Sequence, residues 1–319
     1  MNFVEQRKAF EAAHPRHDSV ILAFRGVEPG YDVYNCSIPF TSGGRRYIYG
    51  RVEPRADWAN SHVRLFEEIA PDVFEVVQGA RTLPLEDPFV QSIGGELVLG
   101  GTHVRKLGGE IDTYYCYFYR GKDPFSLTYF TTGPDYMKDI RLVELPSGKI
   151  GVFTRPRGEE TLKQYGTESV VGYVEIDSLD DLLPANLDRA KIIEGLFEAG
   201  EWGGCNQAYL LKDGRIGLAA HKAVNDGVAS DGQPFQLYTN CFFIFDPATR
   251  KATPMEILAT DASYPAFSPK VPKLAHCIFT SGLVFRPDGK ADLYTGLGDA
   301  AEGRVTIPAP FDVKLPLPI

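Results

Sequence analysis

The sequence predicts an all-β fold, a five-bladed β-propeller preceded by a short N-terminal helix. Three observations support this prediction: a hairpin-like segment recurs five times, successive copies begin 52, 52, 67 and 75 residues apart, and no Ser/Gly-rich or Pro-rich linker divides the 319 residues. That spacing suits four short antiparallel strands with their loops, which make one propeller blade. The whole chain, residues 1–319, is therefore expected to form one domain.

The recurring segment is clearest at residues 85–103, where two apolar strands flank the turn Gly94-Gly95. Such strands around a Gly turn are typical of a β-hairpin. Asp87 and His103 lie sixteen residues apart with the turn midway, so we expect them to face each other at the open end of the hairpin. The other four copies have polar or charged residues at both ends and an apolar middle, and they span 35–51, 139–155, 206–221 and 281–299.

The remaining elements follow in chain order. Residues 2–13 place Phe3 and Phe10 at helical spacing before Pro15, which predicts a short amphipathic helix. Residues 19–25 form a β-run that is expected to close the ring by pairing with the last blade. Trp58 lies in a loop of the first blade, either as a ring that stacks on sugar or as a lid on the surface. The blades themselves are expected at about 31–80, 84–132, 136–178, 202–247 and 274–314.

Composition argues against several classes of function. Lys and Arg number 33 and Asp and Glu 42, a net charge of −9, whereas binding of nucleic acid or anionic membrane requires a basic surface. The five cysteines show no CxxC or Cys/His metal spacing, which favours buried, reduced thiols. No apolar run approaches the roughly 18 residues of a membrane span, and residues 1–18 lack a signal peptide's apolar stretch. We therefore expect a cytosolic protein without a metal or other cofactor.

The propeller prediction brings the hairpin ends together. The inner strands of a propeller surround a central channel, so the polar ends of all five hairpins should converge at one mouth. For any one hairpin, the alternative is that these residues only form turns and strand ends, but five copies in register favour a shared pocket. The residues expected there are Asn35, Arg51, Asp87, His103, Asp139, Arg155, Asn206, His221 and Asp299.

Carboxylates beside cationic side chains allow two chemistries. Ordinary glycoside hydrolysis needs a second carboxylate beside the acid, and Glu53, Asp139 and Glu168 are candidates. Phosphorolysis, or transfer from a nucleotide sugar, needs a single acid and a cradle of cations for the anionic partner.

The cationic residues fit the second chemistry better. Lys138, Arg155 and His221, with Arg51 nearby, would supply the cradle. The alternative is that Lys138 and Arg155 only neutralise the neighbouring carboxylates.

Several short segments, in this order and spacing, carry a family resemblance: Asn35, Arg51-Val52-Glu53 with Ser61, Glu86-Asp87-Pro88, Lys138-Asp139, Arg155-Pro156, His221, and Tyr294-Thr295-Gly296 with Asp299. Over residues 30–300 the chain resembles the five-bladed mannoside phosphorylase superfamily. It is most similar to the mannosyltransferase-phosphorylases that build and degrade β-1,2-mannan storage oligosaccharides.

The resemblance implies a role for each residue. Asp87 corresponds to the family's single catalytic acid, which protonates the glycosidic oxygen. Lys138, Arg155 and His221 correspond to residues that bind phosphate, or the diphosphate of GDP-mannose. The mannose subsites would be lined by Asn35, Arg51, Asp139, Asn206 and Asp299.

The implied reaction is phosphorolysis of β-1,2-mannooligosaccharides with inversion, which yields α-mannose 1-phosphate, or mannosyl transfer from GDP-mannose. The implied partners are the oligosaccharide, inorganic phosphate and GDP-mannose. Two alternatives stay open: a hydrolytic glycosidase of the same fold, and a non-catalytic propeller that binds sugar.

Overall fold

The computed structural model describes residues 1–14, 18–57 and 60–313. In these residues five β-sheets form the blades of a five-bladed propeller, so the predicted fold class is confirmed. Trp58, for which the sequence left two roles open, lies outside the described residues.

The N-terminal helix, α1 (Phe3–Ala13), is present as predicted. Its first turn is closed by a reciprocal cap: Asn2 Oδ1 accepts a hydrogen bond from Glu5 N, and Glu5 Oε2 accepts one from Asn2 N, both at 2.9 Å. This cap satisfies N–H groups that the first turn of a helix leaves open. Phe3 then packs beneath Lys222, whose Nζ lies 5.0 Å from the ring centroid, and this contact holds the helix against the fourth blade.

The ring is closed by the chain that follows the helix. Strand β1 (Asp18–Ile21) pairs antiparallel with the last strand of the fifth blade, and Ile21 lies opposite Gly303. Strand β2 (Ala23–Arg25) then runs parallel to the last strand of the first blade. The predicted closure is confirmed, and the run 19–25 divides between two neighbouring blades.

The five blades follow in chain order. The first contains β3 (Tyr31–Tyr34), β4 (Phe40–Ser42), β5 (Arg45–Pro54), β6 (His62–Ala70) and β7 (Val73–Val76). The second contains β8 (Glu86–Ile93), β9 (Glu96–Leu107), β10 (Glu110–Gly121) and β11 (Thr128–Thr132). The third contains β12 (Arg141–Glu144), β13 (Ile150–Thr154), β14 (Gly172–Ile176) and β15 (Lys191–Ile192), with helices α2 (Glu159–Tyr165) and α3 (Pro184–Leu187) in its loops.

The fourth blade contains β16 (Glu201–Leu210), β17 (Ile216–Asp226), β18 (Phe235–Asp246), β19 (Lys251–Ala252) and β20 (Glu256–Ala259). The fifth contains β21 (Ile278–Phe285), β22 (Lys290–Leu297) and β23 (Ala301–Pro308), with β1 as its fourth strand. Short 3₁₀ turns lie at Leu179–Asp181, Asp261–Ser263 and Pro272–Leu274.

Two sheets extend past the C-terminal ends of the ranges expected from the sequence. The third includes β15, beyond residue 178, and the fourth includes β19 and β20, beyond residue 247. These strands are short, so none has the alternating apolar pattern that identifies a strand in a sequence.

The apolar core lies between the blades. Each of five buried clusters draws its residues mainly from two neighbouring blades. Phe89 and Val98 of the second blade, for example, belong to one cluster with Ile140 and Val152 of the third. Close packing of this kind makes the angle between blades rigid. The residues at the channel mouth are therefore held in fixed relative positions.

The first residue of each recurring hairpin lies at an interruption of the first strand of its blade. Asn35 follows the end of β3, and Asp139 precedes β12, while the other three positions are bulges or register shifts within a strand, at Asp87, Asn206 and Ser281. Asn35, Asp87 and Asp139 have φ angles of 45°, 48° and 58°. Asn and Asp tolerate this left-handed conformation better than other residues with a Cβ atom. The backbone therefore accounts for the small polar residue that begins these copies.

In the described part of the chain, no helix is long and apolar enough to cross a membrane. The five cysteines are all buried and free.

Candidate functional site

A pocket of about 360 Å³ lies where the interrupted strands converge, and we call it the first lobe. Its wall includes six residues that the sequence predicted, Asn35, Arg51, Asp87, Lys138, Arg155 and Asp299. The wall is completed by Arg157, Gln236, Tyr238, Lys273, Leu274, Cys277 and Phe279. The structure thus brings together residues up to 264 positions apart in the chain (299 − 35).

A second pocket of about 280 Å³, the second lobe, adjoins the first. The two lobes share Arg51, Lys138, Arg157 and Asp299. The second lobe adds polar and apolar side chains from the second blade, Glu86, Thr102, Val104, Ile111 and Tyr114. The two lobes together can therefore hold two parts of one ligand on either side of the shared residues.

Asp87 lies on the wall of the first lobe and is 5% exposed. Its Oδ1 accepts hydrogen bonds from Asn35 Nδ2 at 2.9 Å and from Arg51 Nη1 at 3.0 Å. Among the described residues, no hydrogen bond is made to Oδ2. The carboxyl group is therefore fixed through one oxygen, while the other is left for a ligand.

Asn35 reaches Asp87 because of a glycine in the fifth blade. A Cβ atom at Gly296 would lie 1.8 Å from Asn35 Oδ1, so no larger residue fits there. Gly296 belongs to the Tyr294-Thr295-Gly296 segment identified in the sequence, and its role is to admit the Asn35 side chain.

Arg51 is the centre of a charged cluster. Its guanidinium contacts three carboxylates, with Nη2 3.0 Å from Glu53 Oε1 and 3.3 Å from Glu86 Oε1, and Nη1 on Asp87. The guanidinium also lies 4.8 Å from the ring centroid of Tyr34, a cation–π contact. Burial alone would lower the pKa of Arg51, but the carboxylates raise it well above its usual value.

Glu53 is fully buried yet ionised. It accepts hydrogen bonds from Arg51, from Ser61 Oγ at 2.6 Å, and from Tyr34 and Lys270. Burial alone would raise the pKa of Glu53, but the Arg51 charge and these donors hold it at about 2. Glu53 therefore fixes Arg51 and does not face the pocket.

Asp139 was predicted to contact sugar, but it does not line either lobe. Its carboxylate is 2% exposed, binds Arg155 Nη1 and lies 3.5 Å from Arg141 Nη2, behind the pocket wall. Burial alone would raise the pKa of Asp139, but the two guanidiniums hold it well below its usual range. Asp139 thus orients Arg155, whose Nε also donates to the Gly203 carbonyl at 2.6 Å.

Asn206 and His221 also lie behind the wall and not on it. His221 is fully buried, and its Nδ1 lies 2.8 Å from Asn206 Oδ1, so Nδ1 carries the proton that it donates. Burial and the Arg155 charge lower the pKa of His221 well below its usual value, so the ring is neutral. Neither Asn206, predicted to contact sugar, nor His221, predicted to bind phosphate, lines either lobe.

Gly204, just before Cys205, explains how the side chains of His221 and Arg155 come together. A Cβ atom at Gly204 would lie 2.7 Å from Arg155 Cδ and 3.4 Å from His221 Cε1. Because Gly204 has no Cβ atom, the side chains of Arg155 and His221 can pack closely against its backbone.

Three cations on the pocket wall have no partner of opposite charge in the part of the chain that the structure describes. Within the described residues, no carboxylate oxygen lies within 4.0 Å of the charged nitrogens of Lys138, Arg157 or Lys273. The guanidinium of Arg157 lies 5.6 Å from the ring centroid of Tyr114. This region is therefore positively charged in a protein whose net charge is −9, and it is suited to an anion.

The two remaining acidic groups on the walls have raised pKa values. Burial raises the pKa of Asp299 to about 6, although Arg51 opposes the shift. Burial also raises the pKa of Glu86, against the same Arg51 charge. Asp299 can therefore change protonation more readily near neutral pH than an ordinary carboxylate.

His103 does not belong to the pocket, and that prediction was wrong. Its Nδ1 donates to the Pro84 carbonyl at 2.9 Å, and its ring stacks on Tyr117 at 4.5 Å. The register explains the error, because Glu86 is opposite Thr102 and the bulge at Asp87 leaves His103 on the other face of β9.

The sequence analysis did not assign part of the wall. Arg157 could have been assigned from the Arg155-Pro156-Arg157 segment, because alternate residues of an extended segment point to the same side. Lys273 and Cys277 lie in the connection between β20 and β21, outside the repeat, and nothing in the sequence marks them. In the described residues, no group of three or more His, Cys, Asp or Glu side chains is arranged to hold a metal ion.

The fold and the charged pocket define a class, the five-bladed propellers of phosphorylases and glycosidases. The chain belongs to the DUF1861 family, described as proteins of unknown function, whose model matches residues 8–313. This match, together with the solved structures described next, confirms the family resemblance that was inferred from the sequence. No curated protein matches the chain significantly.

Solved structures give closer comparisons. The mannose phosphorylase MPT-4 from Leishmania mexicana, solved in complex with a phosphate ion, is 49% identical with a TM-score of 0.89, over 96% of this chain and 93% of that one. The GDP-Man-dependent mannosyltransferase MPT-1 from Leishmania mexicana is 43% identical with a TM-score of 0.88, over 97% and 94%. β-1,2-Mannobiose phosphorylase from Listeria innocua shares the fold at 13% identity, with a TM-score of 0.64 over 89% and 92%.

Proposed function

We propose that this protein is an enzyme, an inverting β-1,2-mannoside phosphorylase. One observation carries the proposal: Asp87, held through Oδ1, shares a pocket with Lys138, Arg157 and Lys273, three cations that have no carboxylate partner among the residues the structure describes. One acid beside a cationic cradle is what phosphorolysis requires. The 49% identity to a mannose phosphorylase solved with phosphate supports the same reaction.

The chemistry is a single displacement. A phosphate oxygen attacks the anomeric carbon of the terminal β-mannosyl unit while the bond to the glycosidic oxygen breaks. Asp87 gives its proton to the departing oxygen, from the oxygen atom that neither Asn35 nor Arg51 occupies. The products are α-mannose 1-phosphate and a shortened oligosaccharide, and the anomeric centre is inverted.

Each part of the pocket has a role in this scheme. Lys138 and Arg155 bind phosphate, and Arg157 and Lys273 add positive charge to the same wall. Asp139 holds Arg155 in place, and His221 and Asn206 support the group from behind.

The sugar occupies the space around the residues that the two lobes share. Asn35, Arg51 and Asp299 lie beside the mannosyl unit. The rest of the oligosaccharide extends into the second lobe, where Ile111 and Tyr114 offer apolar faces to a sugar ring.

A second activity, mannosyl transfer from GDP-mannose, is favoured by the 43% identity to a GDP-Man-dependent mannosyltransferase. The same cations would bind the diphosphate, and Asp87 would accept the proton of the attacking hydroxyl. No metal or other cofactor takes part in either scheme. The five free, buried cysteines suit a reducing compartment, and we propose the cytosol.

Hydrolysis is the main competing reaction, and the carboxylates bear on it. None of Glu53, Asp139 and Glu168 lines either lobe, and Glu53 and Asp139 are held in buried ion pairs. Asp299, whose pKa is about 6, is the wall carboxylate best suited to activate water. A non-catalytic sugar-binding propeller would have no use for an acid beside unpaired cations.

The test is release of mannose 1-phosphate from short β-1,2-mannooligosaccharides, with and without phosphate. We expect phosphate-dependent product in the wild type and none in Asp87→Asn, while calorimetry shows phosphate still bound. Asn suits the φ of 48° at this position, so this variant should fold. Asp288→Asn, in an exposed turn, is the matched control.

The outcomes separate the competing functions. Free mannose formed without phosphate would mean hydrolysis. Oligosaccharide binding without any product would mean a sugar-binding propeller.

A further inference from the structure

We propose that Lys270 is a positioning residue, which holds the acid Asp87 in its working geometry through Glu53 and Arg51. This inference rests on the proposed function, in which Asp87 is the proton donor. Lys270 lies in the connection between β20 and β21, which lies outside the five recurring hairpins, and it does not line either lobe.

The connection containing Lys270 is tied to two blades. Lys270 Nζ donates to Glu53 and, at 3.0 Å, to the Pro54 carbonyl of the first blade. Its backbone N–H donates to the Gly298 carbonyl at 2.8 Å, next to Asp299 of the fifth blade. The Lys270 side chain is 1% exposed. A lysine buried this deeply must be paired, and Glu53 is its charged partner.

The contact with Glu53 continues to the acid in two steps. Glu53 binds Lys270 through Oε2 and Arg51 through Oε1, so each cation occupies its own carboxylate oxygen. Arg51 then uses its other terminal nitrogen, Nη1, on Asp87 Oδ1. Because Arg51 is shared between Glu53 and Asp87, the charge that Lys270 supplies to Glu53 leaves Arg51 available to the acid.

Removal of Lys270 would change how Arg51 is shared between Glu53 and Asp87. Glu53 is fully buried and would keep Arg51, Ser61 and Tyr34 as its donors. Arg51 would then be drawn toward Glu53, and Asp87 would lose one of the two donors on Oδ1.

The orientation of Asp87 would then be held by Asn35 alone. The other charged or titratable groups that act on this cluster are Asp32, Glu86, Lys138, Asp299 and Glu302. All five are still present when Lys270 is replaced.

The test compares Lys270→Met with the wild type in phosphorolysis. We expect a fall in kcat of about tenfold or more, with the phosphate KM changed by less than about twofold. Lys212→Met removes a lysine from an exposed ion pair with Asp312 and should leave both unchanged.

A second variant guards against misfolding. Glu53→Gln with Lys270→Met removes both charges, so no uncompensated charge is buried. If Lys270 acts through Glu53, adding Lys270→Met to the Glu53→Gln protein should change kcat by less than about twofold. Equal effects of Lys270→Met in both backgrounds would overturn the proposal.

A crystal structure of Lys270→Met, or of a sulfate complex of it, tests the geometry without any activity. We expect Arg51 Nη1 to have moved out of hydrogen-bond range of Asp87 Oδ1, and an unmoved Arg51 would overturn the proposal. If the wild type makes no mannose 1-phosphate, the proposed function fails, and this structural comparison still decides whether Lys270 positions Arg51.

Discussion

Asn35 donates a hydrogen bond of 2.9 Å from Nδ2 to Oδ1 of Asp87, so the first residues of two successive copies of the repeated hairpin meet in one pocket. Both residues adopt positive φ angles, 45° and 48°, at interruptions of their strands. The interruption that each blade carries is thus what turns these two side chains toward each other. The contact joins the first blade to the second at the site of the proposed proton transfer.

Asn35→Asp should impair the acid without disturbing the backbone. Asp tolerates the positive φ as Asn does, but it cannot donate to Asp87 and places a second carboxylate beside it. Two carboxylates at this distance repel each other, which moves the acid out of its working orientation. We expect kcat for phosphorolysis to fall about tenfold or more, measured against Asn225→Asp on an exposed strand end. An unchanged kcat would show that the Asn35 contact does not influence the acid.

The repeat explains why this much of the site could be predicted. Three copies of the hairpin begin at equal spacing, with Asn35, Asp87 and Asp139 as their first residues. The backbone at an interrupted strand favours Asn or Asp, which is a local requirement. A local requirement leaves a mark in the sequence, and the propeller symmetry then brings the marked positions to one axis.

The remaining features of the site depend on contacts between blades, which leave no recognisable pattern in the sequence. Asp139 has the same position in its repeat as Asp87, yet it lies behind the wall because Arg141 and Arg155 surround it. Lys270 and Lys273 enter from a connection outside the repeat, and no spacing rule predicts where that connection lies.

Arg157→Gln should weaken phosphate binding more than it slows the chemical step. Arg157 lies on the walls of both lobes, and no described carboxylate is paired with it, so its charge acts on the bound anion in ground state and transition state alike. Loss of such uniform binding raises KM while leaving kcat nearly unchanged, and we expect the phosphate KM to rise about tenfold. Arg215→Gln, in an exposed turn, is the control. A large fall in kcat at unchanged KM would instead mean that Arg157 stabilises only the transition state.

Asp299 should make anion binding depend on pH near 6. Its pKa is raised to about 6, so it is mainly neutral below that pH and negatively charged above it. A charged Asp299 on the wall repels an anion, and affinity should therefore fall as pH rises through about 6.

Sulfate is a suitable probe because its charge does not change in this range. Calorimetry should show weaker sulfate binding at pH 7 than at pH 5 in the wild type, and a smaller difference in Asp299→Asn. Asn again fits the local φ of 52°. Equal pH dependence in both proteins would assign the effect to another group.

Glu53 should make the fold sensitive to acid. Its pKa in the folded protein is about 2, lowered from 4.5, so its contribution to stability is complete above about pH 5 and is lost as pH falls toward 2. A shift of that size corresponds to about 3 kcal/mol in the free energy of unfolding. Denaturant unfolding at pH 6, 4.5 and 3 should show the wild type losing stability relative to Glu53→Gln, whose amide cannot titrate. Because Gln leaves Arg51 and Lys270 without their shared carboxylate, the variant should be the less stable protein at pH 6, and the gap should narrow with acid. A gap that stayed constant down to pH 3 would mean that the pKa of Glu53 is the same in the folded and the unfolded protein, and a gap that widened with acid would mean that Glu53 is protonated in the folded protein.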